Sequence, residues 1–233
     1  MAQTFKALSA LLCYPGDGLK AAAGEMRAAL AADGILADGA RRALDGLITE
    51  LDGDDLLDLQ ERYVLLFDRT GSLSLYLFEH VHGESRDRGQ AMIDLQAHYE
   101  RNGLAIGAAE LPDFLPLFLE FLSTRPLPEA REMLGQTAHI LTALAERLHK
   151  RGSSYEAVFR ALVEIAGAKP KAEEIAGLLD QPDTDPTDLA AIDKAWEDQP
   201  VTFGPGAAEC KDGLIARIRP GAAECKDGLI ARI

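Results

Sequence analysis

The chain has 233 residues and a formal net charge of -14, because 38 aspartates and glutamates outnumber 24 lysines and arginines. This charge argues against binding to nucleic acid or to an anionic membrane surface, whose phosphates an acidic protein repels, and favours a basic protein partner. Hydrophobic residues make up 47% of the chain and aromatic residues only 6%, which is typical of a helical protein rather than a β-rich one.

The N-terminal stretch MAQTFKALSALLC contains a short apolar run that ends at Cys13. Phe5, Leu8 and Leu12 fall on one helical stripe, so we expect an amphipathic first helix rather than a signal peptide. No apolar run approaches the ~20 residues that a membrane-spanning helix needs. The 3 cysteines form no CxxC pair, which predicts no disulfide framework and a reducing compartment. Together these features predict a cytoplasmic protein.

Helical periodicity runs through most of the chain, and the segments before position 70 end at stretches rich in Asp and Gly, as helices commonly do. PDFLPLFLEFL at 112–122 has so little polar surface that it predicts a helix buried most of the way round. No sustained alternation with β-branched residues is present, so we predict no strand. The sequence therefore predicts an all-α fold, a single-domain multi-helix bundle over about 1–168.

The C-terminal part differs in composition from the bundle. Residues 169–204 are acidic and contain several prolines, which predicts a partly helical segment that is loosely attached. Within 205–233, the sequence PGAAECKDGLIARI occurs twice, at 205–218 and 220–233. Because a stable repeat array needs about three or more copies, we predict that this duplicated tail is mobile.

The stretch LFEHVHGESRDRGQ at 77–90 is the densest in reactive side chains. A metal-dependent enzyme could draw its ligands from four of them: Glu79, His80, His82 and Glu84. On a helix, however, His80 and His82 would lie about 200° apart and could not share one metal ion. The chain also lacks a nucleophile elbow and a phosphate-binding glycine loop, so we do not expect an enzyme.

A helix break accounts for part of this stretch. Gly83 suits the end of one helix and Ser85 the N-cap of the next, with Asp87 in its first turn. Arg86 and Arg88 could pair with Glu79 and Glu84 across the break. A further interpretation makes the break a peptide-recognition surface beside an apolar groove, because it exposes backbone groups and charged side chains.

Three motifs carry a resemblance to a known family: YVLLFDR at 63–69, HVHGESRDRGQAMIDL at 80–95 and ELPDFLPLFLEFL at 110–122. In this order they resemble the NarJ-type assembly chaperones of respiratory nitrate reductase, within the TorD/DmsD group of molybdoenzyme chaperones. Phe114 and Phe118 stand where the wider group has a histidine and a glutamate. These departures favour the nitrate reductase branch over chaperones of other molybdoenzymes.

The resemblance implies an all-helical chaperone, without a cofactor of its own, that binds the N-terminal segment of the catalytic alpha subunit of nitrate reductase. It would promote insertion of the molybdenum cofactor before that subunit docks on its membrane anchor. We expect the client segment to bind as an amphipathic helix or turn in a groove between helices. The residues expected to contact it are Tyr63, Phe67, His80, His82, Glu84, Arg86, Asp87, Arg88, Glu110, Asp113 and Glu120.

These residues have different expected roles. The two aromatic rings would contact the apolar face of the client, the carboxylates would meet its basic residues, and the histidines would make binding sensitive to pH. Three alternatives stay open: a chaperone for another molybdoenzyme, a generic helical scaffold, and the metal-dependent enzyme described above. Whether the protein is a monomer or a dimer also stays open.

Overall fold

The computed structural model describes residues 2–82, 86–107, 110–181, 183 and 230–232. These residues form a helical bundle, which confirms the predicted all-α fold class. Its helices are α1 (Gln3–Leu11), α2 (Asp17–Ala21), α3 (Ala23–Ala32), α4 (Asp38–Gly53), α5 (Leu56–Tyr63), α6 (Leu77–His82), α7 (Arg86–Arg101), α8 (Leu115–Ser123), α9 (Leu127–Gln136), α10 (Ala138–Lys150), α11 (Glu156–Ala166) and α12 (Ala172–Leu179). A π-helical turn, Val64–Asp68, and a 3-10 turn, Gly71–Leu73, connect α5 to α6.

Two helix pairs have the most extensive contacts in the described bundle: α10 with α11, and α1 with α8. Phe5, Leu8 and Leu12 are fully buried, which confirms the predicted amphipathic first helix. Helix α8 is buried on nearly all sides, as its apolar sequence predicts. Ser9 on α1 donates a 2.7 Å hydrogen bond from its Oγ to the backbone oxygen of Pro116 on α8, so this buried hydroxyl is paired.

The prediction that the chain has no strand is wrong in one place. Strand β1 (Leu104–Ile106) pairs antiparallel with β2 (Ile230–Arg232), with Leu104 opposite Arg232 and Ile106 opposite Ile230. Three-residue strands leave no alternation long enough to detect in a sequence. The three residues of the duplicated tail that the structure describes, 230–232, are therefore paired with the bundle. The rest of the tail lies outside the described residues, where its mobility stays a prediction.

The described part of the acidic segment 169–204 is attached to the bundle through α12, which packs on α10. Arg147 of α10 is almost fully buried, and its guanidinium donates to the backbone oxygens of Ser72 and Leu178, each at 2.6 Å. Arg151, the residue that follows α10, also pairs with Asp183 at 2.5 Å. The two arginines thus bind the end of α12 and the 3-10 turn to the same helix.

Two further expectations concern the cysteines and the membrane. Cys13 is buried and disulfide-bonded, while Cys210 and Cys225 lie outside the described residues, so the predicted absence of a disulfide framework stays a prediction. None of the helices in the described ranges combines the length and the apolar character that crossing a bilayer requires.

Candidate functional site

A short stretch of paired backbone joins the segment just before the second motif to the third motif. Leu115 donates its backbone N–H to Leu75 O at 2.8 Å, and Leu77 donates its own to Asp113 O at 3.1 Å. Between these bonds Tyr76 lies opposite Phe114, and their ring centroids are 5.3 Å apart. The start of α6 and the start of α8 are therefore held together by main-chain hydrogen bonds, although 38 residues separate Leu77 from Leu115.

Asp113 fixes the N-terminal end of α6. Its side chain is 0% exposed, and its Oδ2 accepts a 3.0 Å hydrogen bond from the backbone N–H of Phe78, in the first turn of that helix. The first N–H groups of a helix have no partner within the helix, so a carboxylate placed there satisfies one of them. Burial raises the pKa of the Asp113 carboxyl. Asp113 therefore positions α6 from within the protein and offers no surface to a ligand.

His80 holds α6 against the turn that precedes it. It is buried, and its Nε2 lies 2.8 Å from the backbone oxygen of Ser74. A carbonyl oxygen can only accept, so Nε2 carries the proton and donates it. Burial lowers the pKa of His80, which favours the neutral imidazole. His80 consequently acts as a neutral hydrogen-bond donor that ties α6 to the turn before it.

The helix break predicted within 77–90 is present, because α6 ends at His82 and α7 begins at Arg86. One of the predicted ion pairs across it is confirmed: Arg88 donates from Nη2 to Glu79 Oε1 at 3.1 Å. The expected roles of Gly83, Glu84 and Ser85 lie outside the described residues. Arg88 therefore links the two helices of the break, with both partners of the pair partly buried.

Two acidic side chains and a tyrosine lie close together where the first motif approaches the third. Tyr76 donates from its hydroxyl to Glu110 Oε2 at 2.7 Å. Desolvation and the neighbouring charge of Glu110 raise the pKa of Asp68, at the end of the first motif. Asp68 was not among the predicted site residues. A lone Asp and a lone Tyr carry no pattern in the sequence, and only the fold brings them beside Glu110.

The two aromatic residues predicted to contact a client are core residues. Tyr63 and Phe67 are both buried, with ring centroids 5.0 Å apart, and Phe67 also packs against Tyr155 at 5.1 Å. The Tyr63 hydroxyl donates to Leu12 O at 2.9 Å, so even its polar end is engaged inside the bundle. In this structure neither ring presents a face to a ligand, and any contribution to binding is through the packing beneath the surface.

Exposed apolar side chains lie on the segments that these contacts hold in place. Val81 on α6 is 52% exposed, Ile93 on α7 is 62% exposed, and Leu111 in the third motif is 42% exposed. Asp87, in the first turn of α7, is also exposed, while Glu120 on α8 is half-buried. The second and third motifs thus combine exposed aliphatic residues with carboxylates, which is a surface suited to an amphipathic basic segment.

The metal-binding alternative receives no support from the part of this stretch that is described. Within the described ranges, no group of three or more His, Cys, Asp or Glu side chains is arranged to hold a metal ion. His80 and Glu79 instead bond to Ser74 and Arg88.

Comparisons with known proteins connect this arrangement to a family. A family model described as the nitrate reductase delta subunit matches residues 33–161, a range that contains all three motifs. The nitrate reductase molybdenum cofactor assembly chaperone NarJ of Escherichia coli (strain K12) is 43% identical over 196 residues, which are 84% of this chain and 83% of that protein. The probable chaperone NarW of the same strain is 45% identical over 148 residues, 64% of each chain. A probable NarJ of Bacillus subtilis (strain 168) is 31% identical over 163 residues, 69% of this chain and 86% of that one.

Proposed function

Because the chain belongs to the nitrate reductase delta subunit family, we propose that it is a molybdenum cofactor assembly chaperone for a respiratory nitrate reductase. It binds the N-terminal segment of the catalytic alpha subunit in its cofactor-free form, in the cytoplasm, and promotes cofactor insertion before that subunit docks at the membrane. The role is not catalytic, and the chaperone holds no cofactor of its own. The observation that carries the proposal is the similarity to NarJ across 84% of the chain.

We further propose that the client binds to exposed and half-buried residues of the second and third motifs, and we define this client surface by Val81, Asp87, Ile93, Glu110 and Leu111. Three of these residues are exposed aliphatic side chains, whose transfer from water is favourable by about 1.5–3 kcal/mol for each one fully buried. The two carboxylates would attract basic residues of the client and exclude acidic competitors. An amphipathic helix or turn carries both kinds of side chain on adjacent faces.

Residues beneath this surface act as positioning residues. Asp113 bonds to the backbone of Phe78 in the first turn of α6, and His80 bonds to the backbone of Ser74 before that helix. Arg88 joins α6 to α7 through Glu79. Since none of these bonds involves a ligand, they set the position of the client surface before a client arrives. Binding to a preorganised surface loses less conformational entropy than binding to a flexible one.

Calorimetric titration with the N-terminal peptide of the alpha subunit tests the surface. We expect Ile93→Ser to weaken binding about tenfold, because it removes one exposed aliphatic contact of roughly 1.4 kcal/mol, while the melting temperature stays unchanged. Leu57→Ser is the matched control, since Leu57 is 73% exposed on α5 and lies outside the client surface. Equal affinities for the two variants would remove Ile93 from the site.

The identity of the client is tested by affinity purification from cells grown on nitrate. We expect one large molybdoenzyme subunit to co-purify, and deletion of that subunit's N-terminal segment to abolish its recovery. Recovery of a different molybdoenzyme subunit would assign the chaperone to another client. Recovery that persists without the N-terminal segment would contradict the proposed binding mode.

A further inference from the structure

The strand pairing between β1 and β2 joins parts of the chain that are far apart in sequence. β1 follows α7 through Gly103, whose φ of +74° lets the chain turn after the helix, and β1 packs on α7. β2 lies near the end of the duplicated tail and packs against α8. The edge of β1 therefore lies between two helices that carry the second and third motifs.

An edge strand presents unpaired N–H and C=O groups that an extended segment can pair with. Each backbone hydrogen bond gained contributes only about 1 kcal/mol net, and ordering the added residues offsets much of that gain. A three-residue pairing is therefore weak enough for one strand to be exchanged for another. The structure records the segment that fills this edge, which is the chain's own Ile230–Arg232.

The tail is opposite in net charge to the rest of the chain. Residues 205–233 contain 5 of the 24 basic residues and 4 of the 38 acidic ones, so residues 1–204 retain 19 basic and 34 acidic residues. A slightly basic tail is attracted to a strongly acidic body, which raises its local concentration at the bundle. The hexapeptide GLIARI, which contains β2, has four aliphatic residues, one arginine and no acid.

The hexapeptide occurs twice, at 213–218 and at 228–233. The first copy is 30 residues beyond Asp183, a length that reaches up to ~100 Å when extended. This exceeds the diameter of a domain of this size, so the length of the chain does not prevent either copy from reaching β1. Both copies can offer Ile, Ala and Arg in the register that the structure shows.

We propose that the edge of β1 is a strand-acceptor site for the peptide GLIARI, that the chain's own tail is its occupant, and that either copy of the hexapeptide can fill it. The duplicated tail is then an intramolecular peptide ligand present in two copies. Recognition comes from main-chain pairing with Leu104–Ile106 and from the chemistry of the hexapeptide, rather than from its place at the end of the chain.

Proline substitutions in the full-length protein test this proposal, because proline lacks the N–H that a ladder needs. Amide hydrogen exchange is measured across 104–106 for Ala216→Pro, for Ala231→Pro and for the double variant, all under reducing conditions so that Cys13 is not a variable. We expect exchange in the double variant to be about tenfold faster, and each single variant to resemble the wild type. Added GLIARI peptide should restore slow exchange in the double variant.

The matched control is the pair Ala208→Pro and Ala223→Pro, which lies in the same repeat but outside the hexapeptide and should leave exchange unchanged. Slow exchange in the double variant would overturn the site. Ala231→Pro as fast as the double variant would overturn the equivalence of the copies. Protection that appears only in a dimer, measured by light scattering, would assign the occupant to a second chain and overturn the intramolecular assignment.

Discussion

The aromatic cluster and the client surface both contain residues of the family motifs, but they lie at different depths. Tyr63 and Phe67 of the first motif are buried against Tyr155, whereas Val81 and Ile93 of the second motif are more than half exposed. Aromatic residues of the first motif thus build the core, while the exposed apolar area of the second motif comes from aliphatic residues with no distinctive pattern. A motif residue can therefore serve the proposed binding by supporting the surface from beneath, without touching the client.

The largest expected effect follows from removing an aromatic ring from the cluster. Phe67→Ala should lower the free energy of unfolding by about 3–5 kcal/mol, because it leaves a cavity among packed rings. Leu57→Ala on the exposed face of α5 is the control, with an expected change within about 0.5 kcal/mol. Urea denaturation measures both. A loss below about 1 kcal/mol for Phe67→Ala would place this ring at the surface and erase the contrast between the two regions.

An intermediate loss of stability is expected from changing Asp113, which lies beneath the client surface. Asp113→Ala should lower the free energy of unfolding by about 1–3 kcal/mol, since the N–H of Phe78 loses its acceptor inside the protein. Asp113→Asn keeps an oxygen that can accept this bond and should be the milder change. Urea denaturation of both variants decides the order. If the two substitutions cost the same, the hydrogen bond to α6 is not what Asp113 contributes.

The smallest effect is a pH dependence that arises at His80. Burial holds the pKa of the folded state below the ordinary 6.5, so the unfolded chain binds the proton more readily. The stability that His80 contributes is therefore present above about pH 6.5 and is lost as the pH falls through the folded-state pKa. His80→Gln keeps a donor for Ser74 but cannot be protonated.

The measurement for His80 is the free energy of unfolding from pH 7.5 to pH 5. We expect the wild type to lose more stability than His80→Gln over this range, and client affinity to follow the same trend, because α6 carries Val81. Parallel stability profiles for the two proteins would show that the imidazole stays neutral or reaches solvent when it is protonated, which would contradict its role as a buried positioning residue.

Several features of the protein were determined by short-range sequence patterns. The stripe of Phe5, Leu8 and Leu12 predicted α1, and the apolar run from 112 to 122 predicted a helix buried on nearly all sides. The break within 77–90 and the pair between Glu79 and Arg88 were also predicted correctly. These succeeded because helical spacing and helix-ending residues act over a few positions, so their consequences are visible within a single stretch of sequence.

The burial of individual side chains and the contacts between residues far apart in sequence depend on the tertiary structure. Tyrosine occurs both at the surface and in the core, and aspartate is mostly exposed, so it is the packing of other helices that buries Tyr63 and Asp113. Tyr76 meets Glu110, and β1 meets β2, across 34 and more than 120 residues. Contacts of this kind depend on how the whole chain closes, and a single sequence carries no periodic signal for them. The helices and the family resemblance therefore follow from the sequence alone, while the fold decides which motif residues are exposed and which are buried beneath them.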